Sequence, residues 1–439
     1  MPKTSRPKGS RRGASRDQCR CVMAVRSREP RSPRSFLAPI PDGAALYARD
    51  VRDPTTSRLA AFGTTIFARM SALAAETGAI NLGQGFPDTD GPTEVLDAAV
   101  AAIRGGQNQY PPGLGIADLR HAVAEHQQRF WGLTVDPDTE VLITAGATEA
   151  LAGALLGTLE TGDEVIVFEP MFDSYSACIA LAGATVVPIT LEPTPDGYRY
   201  DPAQLRAAVG PRTRSILLNT PHNPTGKVFT AEEMADIADV ARTHDLMVIT
   251  DEVYEHLLFD GRRHIPMASL PDMADRTLTI SSGGKTFHTT GWKVGWMCGP
   301  APIVRAAMSA KQFLTYVNGA PFQPAMAVGL RLADEYFTGV ASGLQHTRDL
   351  LADGLRAAGF VVYPSEATYF TTVDITPLRA DGDGMAFCEE LPHRCGVVAV
   401  PNQVFYVDPA RGRHLVRFAC CKRPEVITEA MERLAVLAA

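Results

Sequence analysis

Metal-ligand spacings, a disulfide framework, a membrane-length apolar run and a secretory leader are all missing from this sequence. Its eight cysteines, Cys19, Cys21, Cys178, Cys298, Cys388, Cys395, Cys420 and Cys421, form no CxxC pair. That spacing suits neither a zinc site nor a small stapled scaffold, and a reducing cytoplasm is the expected compartment. The ten histidines are scattered, and the five-residue gap between His121 and His126 does not put both on one helical face. No metal site is expected. The most apolar long window, 141–159, is interrupted by Glu149 and by glycines and threonines. It reads as a buried strand, turn and helix rather than a membrane span. No internal repeat is visible.

What is present is a folded protein with an uneven charge. A chain of 439 residues exceeds one ordinary core and predicts two or three lobes. Apolar and charged fractions of 45% and 21% are those of a packed protein. Residues 1–36 carry eleven Lys and Arg against Asp17 and Glu29, so the rest of the chain holds a large acidic excess within the net charge of −7. An acidic body argues against a nucleic-acid surface. Residues 1–56, rich in Arg, Ser and Pro and without apolar periodicity, predict a disordered basic extension. A transit peptide or a start codon placed too far upstream are the alternatives, and the lack of an apolar core excludes a secretory signal.

Beyond residue 56, short β-rich runs alternate with helical patterns. Strands are expected at 141–144, 164–168, 184–189, 215–219, 246–250 and 278–281, with helices at 148–159, 174–182 and 231–244. That alternation predicts a mainly parallel sheet covered by helices on both faces, with ligands bound beyond the carboxyl ends of its strands. From about Gly343 a helix, short strands and a last helix (424–437) predict a smaller α+β lobe.

The residues at those strand ends carry the chemistry. The 141–144 strand runs into Gly146-Ala147-Thr148, small residues that open a helix start to an anion; an ordinary tight turn reads the same way. Asp251 follows the 246–250 strand, either as a helix N-cap or as a partner for a protonated ring nitrogen. Asn219 and Asn223 lie in a loop stiffened by Pro221, Pro224 and Gly226. Ser281-Ser282-Gly283-Gly284-Lys285-Thr286 imitates a P-loop, but Thr279 stands where that motif needs glycine. Lys285 among small residues after a strand suits a Schiff-base amine instead, because desolvation lowers its pKa. Arg417, alone in the apolar run 414–420, needs either a ligand carboxylate or an internal acid.

Together, Asn81–Asp88, Asn108-Gln109-Tyr110, Asn219–Gly226, Asp251–Tyr254 and Ser281–Trp296 resemble the fold-type I aminotransferases of class I/II, over about residues 58–438. Within that family they resemble the subgroup of kynurenine/glutamine transaminase K and methionine aminotransferases, which includes actinobacterial N-succinyldiaminopimelate aminotransferases. The resemblance implies a three-layer αβα large domain (91–325), an N-terminal arm with part of the small domain (57–90) and a C-terminal small domain (326–439). It implies pyridoxal 5′-phosphate held by Lys285, which also moves the substrate α-proton. Asp251 pairs with the ring nitrogen, Tyr254 and Asn223 bind the phenolic oxygen, and Phe172 stacks on the ring. Gly146, Ala147, Thr148, Ser282 and Lys293 hold the phosphate, and Tyr110 reaches the phosphate of a second subunit in a homodimer. Arg417 binds the substrate carboxylate with Gly85, Asn219 and Asn223, and Phe67 lines the side-chain pocket, where the subgroup often has Trp. Lys293 stands where aspartate aminotransferases use Arg. The implied reaction exchanges an amino group between an aromatic, sulfur-containing or kynurenine-type amino acid and a 2-oxo acid. N-succinyldiaminopimelate as donor and β-elimination from cysteine conjugates are the alternatives. A cofactor-sensing DNA-binding regulator is disfavoured, because the 56-residue tail is too short for a winged helix.

Overall fold

A computed structural model describes residues 55–438 of the chain. The expected basic extension lies outside the described residues except for Thr55 and Thr56, as do Cys19 and Cys21. Seven strands build the larger sheet: β1 (Val141–Thr144), β2 (Glu164–Glu169), β3 (Thr185–Thr190), β4 (Thr213–Asn219), β5 (Met247–Asp251), β6 (Thr277–Ser282) and β7 (Gly295–Cys298). Their order across the sheet is β1-β7-β6-β5-β4-β2-β3. All neighbours run parallel except β7, which is antiparallel to both β1 and β6. Sequence reading missed β7, a four-residue strand that is defined by its two neighbours.

A second sheet of four antiparallel strands has the order β8-β9-β11-β10, from β8 (Val361–Val362), β9 (Phe370–Asp374), β10 (Val400–Pro401) and β11 (Leu415–Ala419). The helices that matter here are α1 (Ile66–Thr77), α2 (Ala117–His126), α3 (Gly146–Thr158), α4 (Asp173–Leu181), α5 (Ala231–Thr243), α6 (Ala301–Lys311), α7 (Asp334–Ala357), α8 (Gly384–Cys395) and α9 (Pro424–Leu434). Helix α7 starts nine residues before the expected Gly343, because Asp334 and Glu335 favour its first turn.

The layering follows from the two-residue period of a strand. In β2, Val165 and Val167 face α3, α4 and α6, together with Leu217 of β4 and Ile249 of β5. The intervening Ile166 and Phe168 face the other way and pack with Ile216, Leu218 and Val248 against α5. Helix α2 covers Val141, Ile143 and Trp296 at the β1 end of the sheet. Strands buried on both faces read as continuous apolar runs, which is why β1 is Val-Leu-Ile-Thr. Helix α5 starts at a capping box in which Thr230 and Glu233 satisfy each other's backbone N–H groups. Emptying a position such as Leu217 with alanine costs about 2–5 kcal/mol. The four-stranded sheet has its own core, where Phe370, Val373, Val416 and Phe418 pack with Met70, Leu351, Leu355, Phe387 and Ile427 from α1, α7, α8 and α9.

Register brings the polar strand ends together. Asn219 at the end of β4 pairs with Asp251 at the end of β5, and Asp251 pairs with Ile280, two residues before the end of β6. Strand β1 ends at Thr144, two residues before α3 begins.

Candidate active site

At this edge lies a cavity of about 320 Å³, bordered by Lys285, Asp251, Tyr254, Asn219, Asn223 and Arg417. Lys285 stands in a one-turn helix (Gly283–Thr286) directly after β6. Its ammonium lies 5.7 Å from the Tyr254 ring centre and 5.6 Å from that of Tyr369. Among the described residues it has no hydrogen-bond or ion-pair partner, and burial lowers its pKa. Both properties raise the fraction of free amine able to attack a carbonyl or take a proton.

Asp251 is buried and accepts a 2.7 Å hydrogen bond from the Tyr175 hydroxyl. Burial pushes its pKa up to about 6, although Tyr175 and the Val253 N–H pull it down. A carboxylate so placed gains from a cationic partner in the cavity. Asp251 ends its strand and precedes a turn, so it is not a helix N-cap. Tyr254, three residues on, is buried with its pKa raised by that burial, so its hydroxyl stays protonated and able to donate.

The loop after β4 is tied to the same residues. The Asn219 amide donates to the Asp251 carbonyl at 2.8 Å, and its oxygen accepts from the Asn223 N–H at 2.6 Å. Asn219 therefore joins two strand ends rather than pointing both polar atoms into the cavity. Asn223 uses its carbonyl oxygen on Arg417, which leaves its NH₂ for a ligand.

The opposite rim is a helix start. Gly146, at φ +75°, begins α3, and a Cβ placed there would meet Lys293 Nζ at 3.5 Å. The Lys293 ammonium and the hydroxyls of Thr148 and Ser282 have no hydrogen-bond partner among the described residues, and all three residues line the cavity. Unpaired N–H groups, hydroxyls and one ammonium make an anion site. Phe172 precedes α4 and also lines the cavity, with its ring edge-on to Tyr175 at 5.7 Å.

Arg417 of β11 is 1% exposed. Its guanidinium donates to Asn223 Oδ1 and to the Gly83 carbonyl, each at 2.9 Å, and its carbon lies 3.9 Å over the Phe370 ring. The alternative of an internal acid does not hold, since no carboxylate among the described residues forms an ion pair with it. Burial lowers its pKa to about 10, so it remains a cation at neutral pH, and its Nε–H is buried without an acceptor. A carboxylate entering the cavity answers that deficit. Gly85 borders this end, where a Cβ would strike Phe370 at 2.4 Å, and Phe67 lies 5.3 Å from the guanidinium.

Every residue singled out from sequence lines this cavity except Tyr110, which is 82% exposed and packs on Tyr316 at 5.5 Å. Sequence reasoning missed Tyr175, whose only local signal is its position one turn after Phe172 on α4. It also missed Phe370, whose role depends on the pairing of β9 with β11.

Known proteins similar to this chain are aminotransferases. Residues 77–434 match the family described as aminotransferase class I and II. A "probable N-succinyldiaminopimelate aminotransferase" of Mycobacterium tuberculosis is 52% identical over 393 residues, covering 88% of this chain and 98% of the relative. The solved structure of the N-succinyldiaminopimelate aminotransferase from that organism superposes with a TM-score of 0.85, covering 87% of this chain and 100% of the other. The methionine aminotransferase of Escherichia coli is 39% identical (86% and 97% covered). A kynurenine–oxoglutarate transaminase of Dictyostelium discoideum is 34% identical (86% and 95% covered).

Proposed function

The chain belongs to the class I and II aminotransferases and is a transaminase; from that premise we propose that it works with pyridoxal 5′-phosphate held by Lys285, and that N-succinyldiaminopimelate is its amino donor. The cavity fits the cofactor at three points. The anion site at the start of α3 suits a phosphate, Asp251 suits a protonated ring nitrogen, and the unpartnered amine of Lys285 suits the aldehyde. When bound, the cofactor supplies a carbonyl that receives the amino group and a ring that absorbs the electron pair left at the substrate α-carbon.

The chain's own groups do the rest. Arg417 binds the α-carboxylate with a two-pronged guanidinium, in a pocket where Phe370 excludes water. Lys285 Nζ takes the α-proton and returns one to complete the transfer. Buried Asp251, held by Tyr175, keeps the ring nitrogen protonated. Tyr254 and the NH₂ of Asn223 donate to the cofactor's phenolic oxygen. Gly146, Ala147, Thr148, Ser282 and Lys293 hold the phosphate, Phe172 stacks on the ring, and Gly85 and Phe67 shape the substrate side.

The carrying observation is a free lysine amine beside a buried aspartate in one cavity closed by a buried arginine. The choice of donor rests on the 52% identical relative. Methionine, aromatic or kynurenine-type donors are the second reading, favoured by the aromatic ring of Phe67 in the cavity lining. Tyr110, exposed and outside the cavity, supports a homodimer in which it reaches the partner subunit's cofactor phosphate. Among the described residues no helix is long and apolar enough to cross a membrane, and their six cysteines are free, which supports a reducing cytoplasm.

The test is the visible spectrum of the purified enzyme with single amino acids added. The reading expects a cofactor band that N-succinyldiaminopimelate bleaches faster than methionine, phenylalanine or kynurenine does, and that Lys285→Ala lacks. Faster bleaching by methionine moves the donor to the second reading. No band after added pyridoxal phosphate removes the cofactor proposal.

A further inference from the structure

The segment that supplies Asp251 and Tyr254 continues into Glu255 and His256, which the transamination machinery does not use. His126, the last residue of α2, is distant in sequence but meets them. Among the described residues, His126, Glu255 and His256 are the one group of three such side chains whose ligand atoms all lie within 4.8 Å of one another. His126 Nε2 lies 2.7 Å from His256 Nε2. His126 and Glu255 are each 2% exposed, whereas Glu255 and His256 border a second cavity of about 640 Å³.

We propose that His126, His256 and Glu255 bind one divalent cation of the zinc class, outside the cofactor cavity. Two imidazoles and one carboxylate are a donor set for zinc or its neighbours rather than for calcium or magnesium, which take oxygen donors. The carboxylate is already oriented, because Oε2 accepts from Trp131 Nε1 at 2.7 Å and Oε1 from Ser281 Oγ at 2.6 Å. Each oxygen keeps a lone pair for metal, and such outer bonds are those that fix metal-binding carboxylates.

In the metal-free pair one proton lies between the two Nε2 atoms. Zinc–nitrogen bonds of about 2.0–2.1 Å in a tetrahedron need the nitrogens roughly 3.3 Å apart, so the rings open by about half an ångström. Whichever ring holds that proton must carry it on Nδ1 once both Nε2 atoms bind the ion; the Nδ1 of His126 has no partner at present. Arg129, a cation that bears on His126, is itself paired with Asp334. The fourth position opens toward the second cavity, where water completes the shell. The ion would tie the end of α2 to the segment after β5 and has no role in the transfer itself.

The test uses the full-length holoenzyme, stripped with chelator, incubated with zinc chloride, desalted and analysed for metal per chain. Cys19→Ser and Cys21→Ser are included so that thiols outside the described residues contribute nothing. One zinc per chain is expected, none in His126→Gln, and much less in Glu255→Gln, which keeps partners for Trp131 and Ser281. Cobalt chloride should give intense visible ligand-field bands that His126→Gln lacks. Circular dichroism confirms that each variant is folded. No zinc in the parent, or equal zinc in folded His126→Gln and Glu255→Gln, overturns the site and leaves a hydrogen-bonded histidine pair.

Discussion

The two sheets serve the cavity in different ways. The seven-stranded sheet delivers a polar residue from each of several strand ends: Asn219 and Asp251 are joined by a hydrogen bond, and Ser282 adds a hydroxyl beside them. The four-stranded sheet delivers one buried cation, Arg417, braced by Phe370 on the neighbouring strand. Many weak contacts tolerate loss, whereas a single desolvated charge does not. The cofactor end should therefore degrade gradually apart from its lysine, and the carboxylate end abruptly.

That contrast can be broken at its strongest point first. Lys285→Ala should lower turnover about 10⁴-fold, with the cofactor's visible band lost, and steady-state rates measure it. Arg417→Gln should weaken every amino donor by about 2–5 kcal/mol, read as kcat/KM, while the cofactor stays bound. Equal weakening of the cofactor would erase the division between the sheets.

A third measurement concerns pH. Asp251 is raised to about 6, above its unfolded value, so the folded cofactor-free protein binds a proton that the unfolded chain releases. Stability from this group is therefore greatest below about pH 4 and falls as pH rises toward 6, by at most about 3 kcal/mol. Thermal unfolding of the cofactor-free enzyme should show this decline, and Asp251→Asn should remove it. Tyr175→Phe should weaken cofactor binding by about tenfold, the worth of one buried hydrogen bond to a charged group, as measured by equilibrium dialysis. An unchanged affinity would mean that Asp251 needs no support. Phe67→Ala should change the ratio of donor efficiencies only a few-fold, about the worth of an apolar contact, and leave cofactor affinity unaltered. A uniform loss for all donors would remove Phe67 from the side-chain pocket.

By itself the sequence determined what depends on neighbours along the chain. Apolar runs set strands β1 to β6, and the residues at or just past their ends, Gly146, Asp251 and Lys285, follow from where a strand stops. Their placement in one cavity was legible because parallel strands share one carboxyl edge. Tertiary structure alone decided what depends on distant pairing. Strand β7 exists through its neighbours β1 and β6. Arg417 meets Asn223 and Gly83 rather than an acid, because β11 and the loop after β4 converge there. Tyr175 supports Asp251 across 76 residues, and His126 finds His256 across 130. Local pattern records which face of a strand or helix is buried; the partner across that face is chosen by packing, which periodicity does not encode.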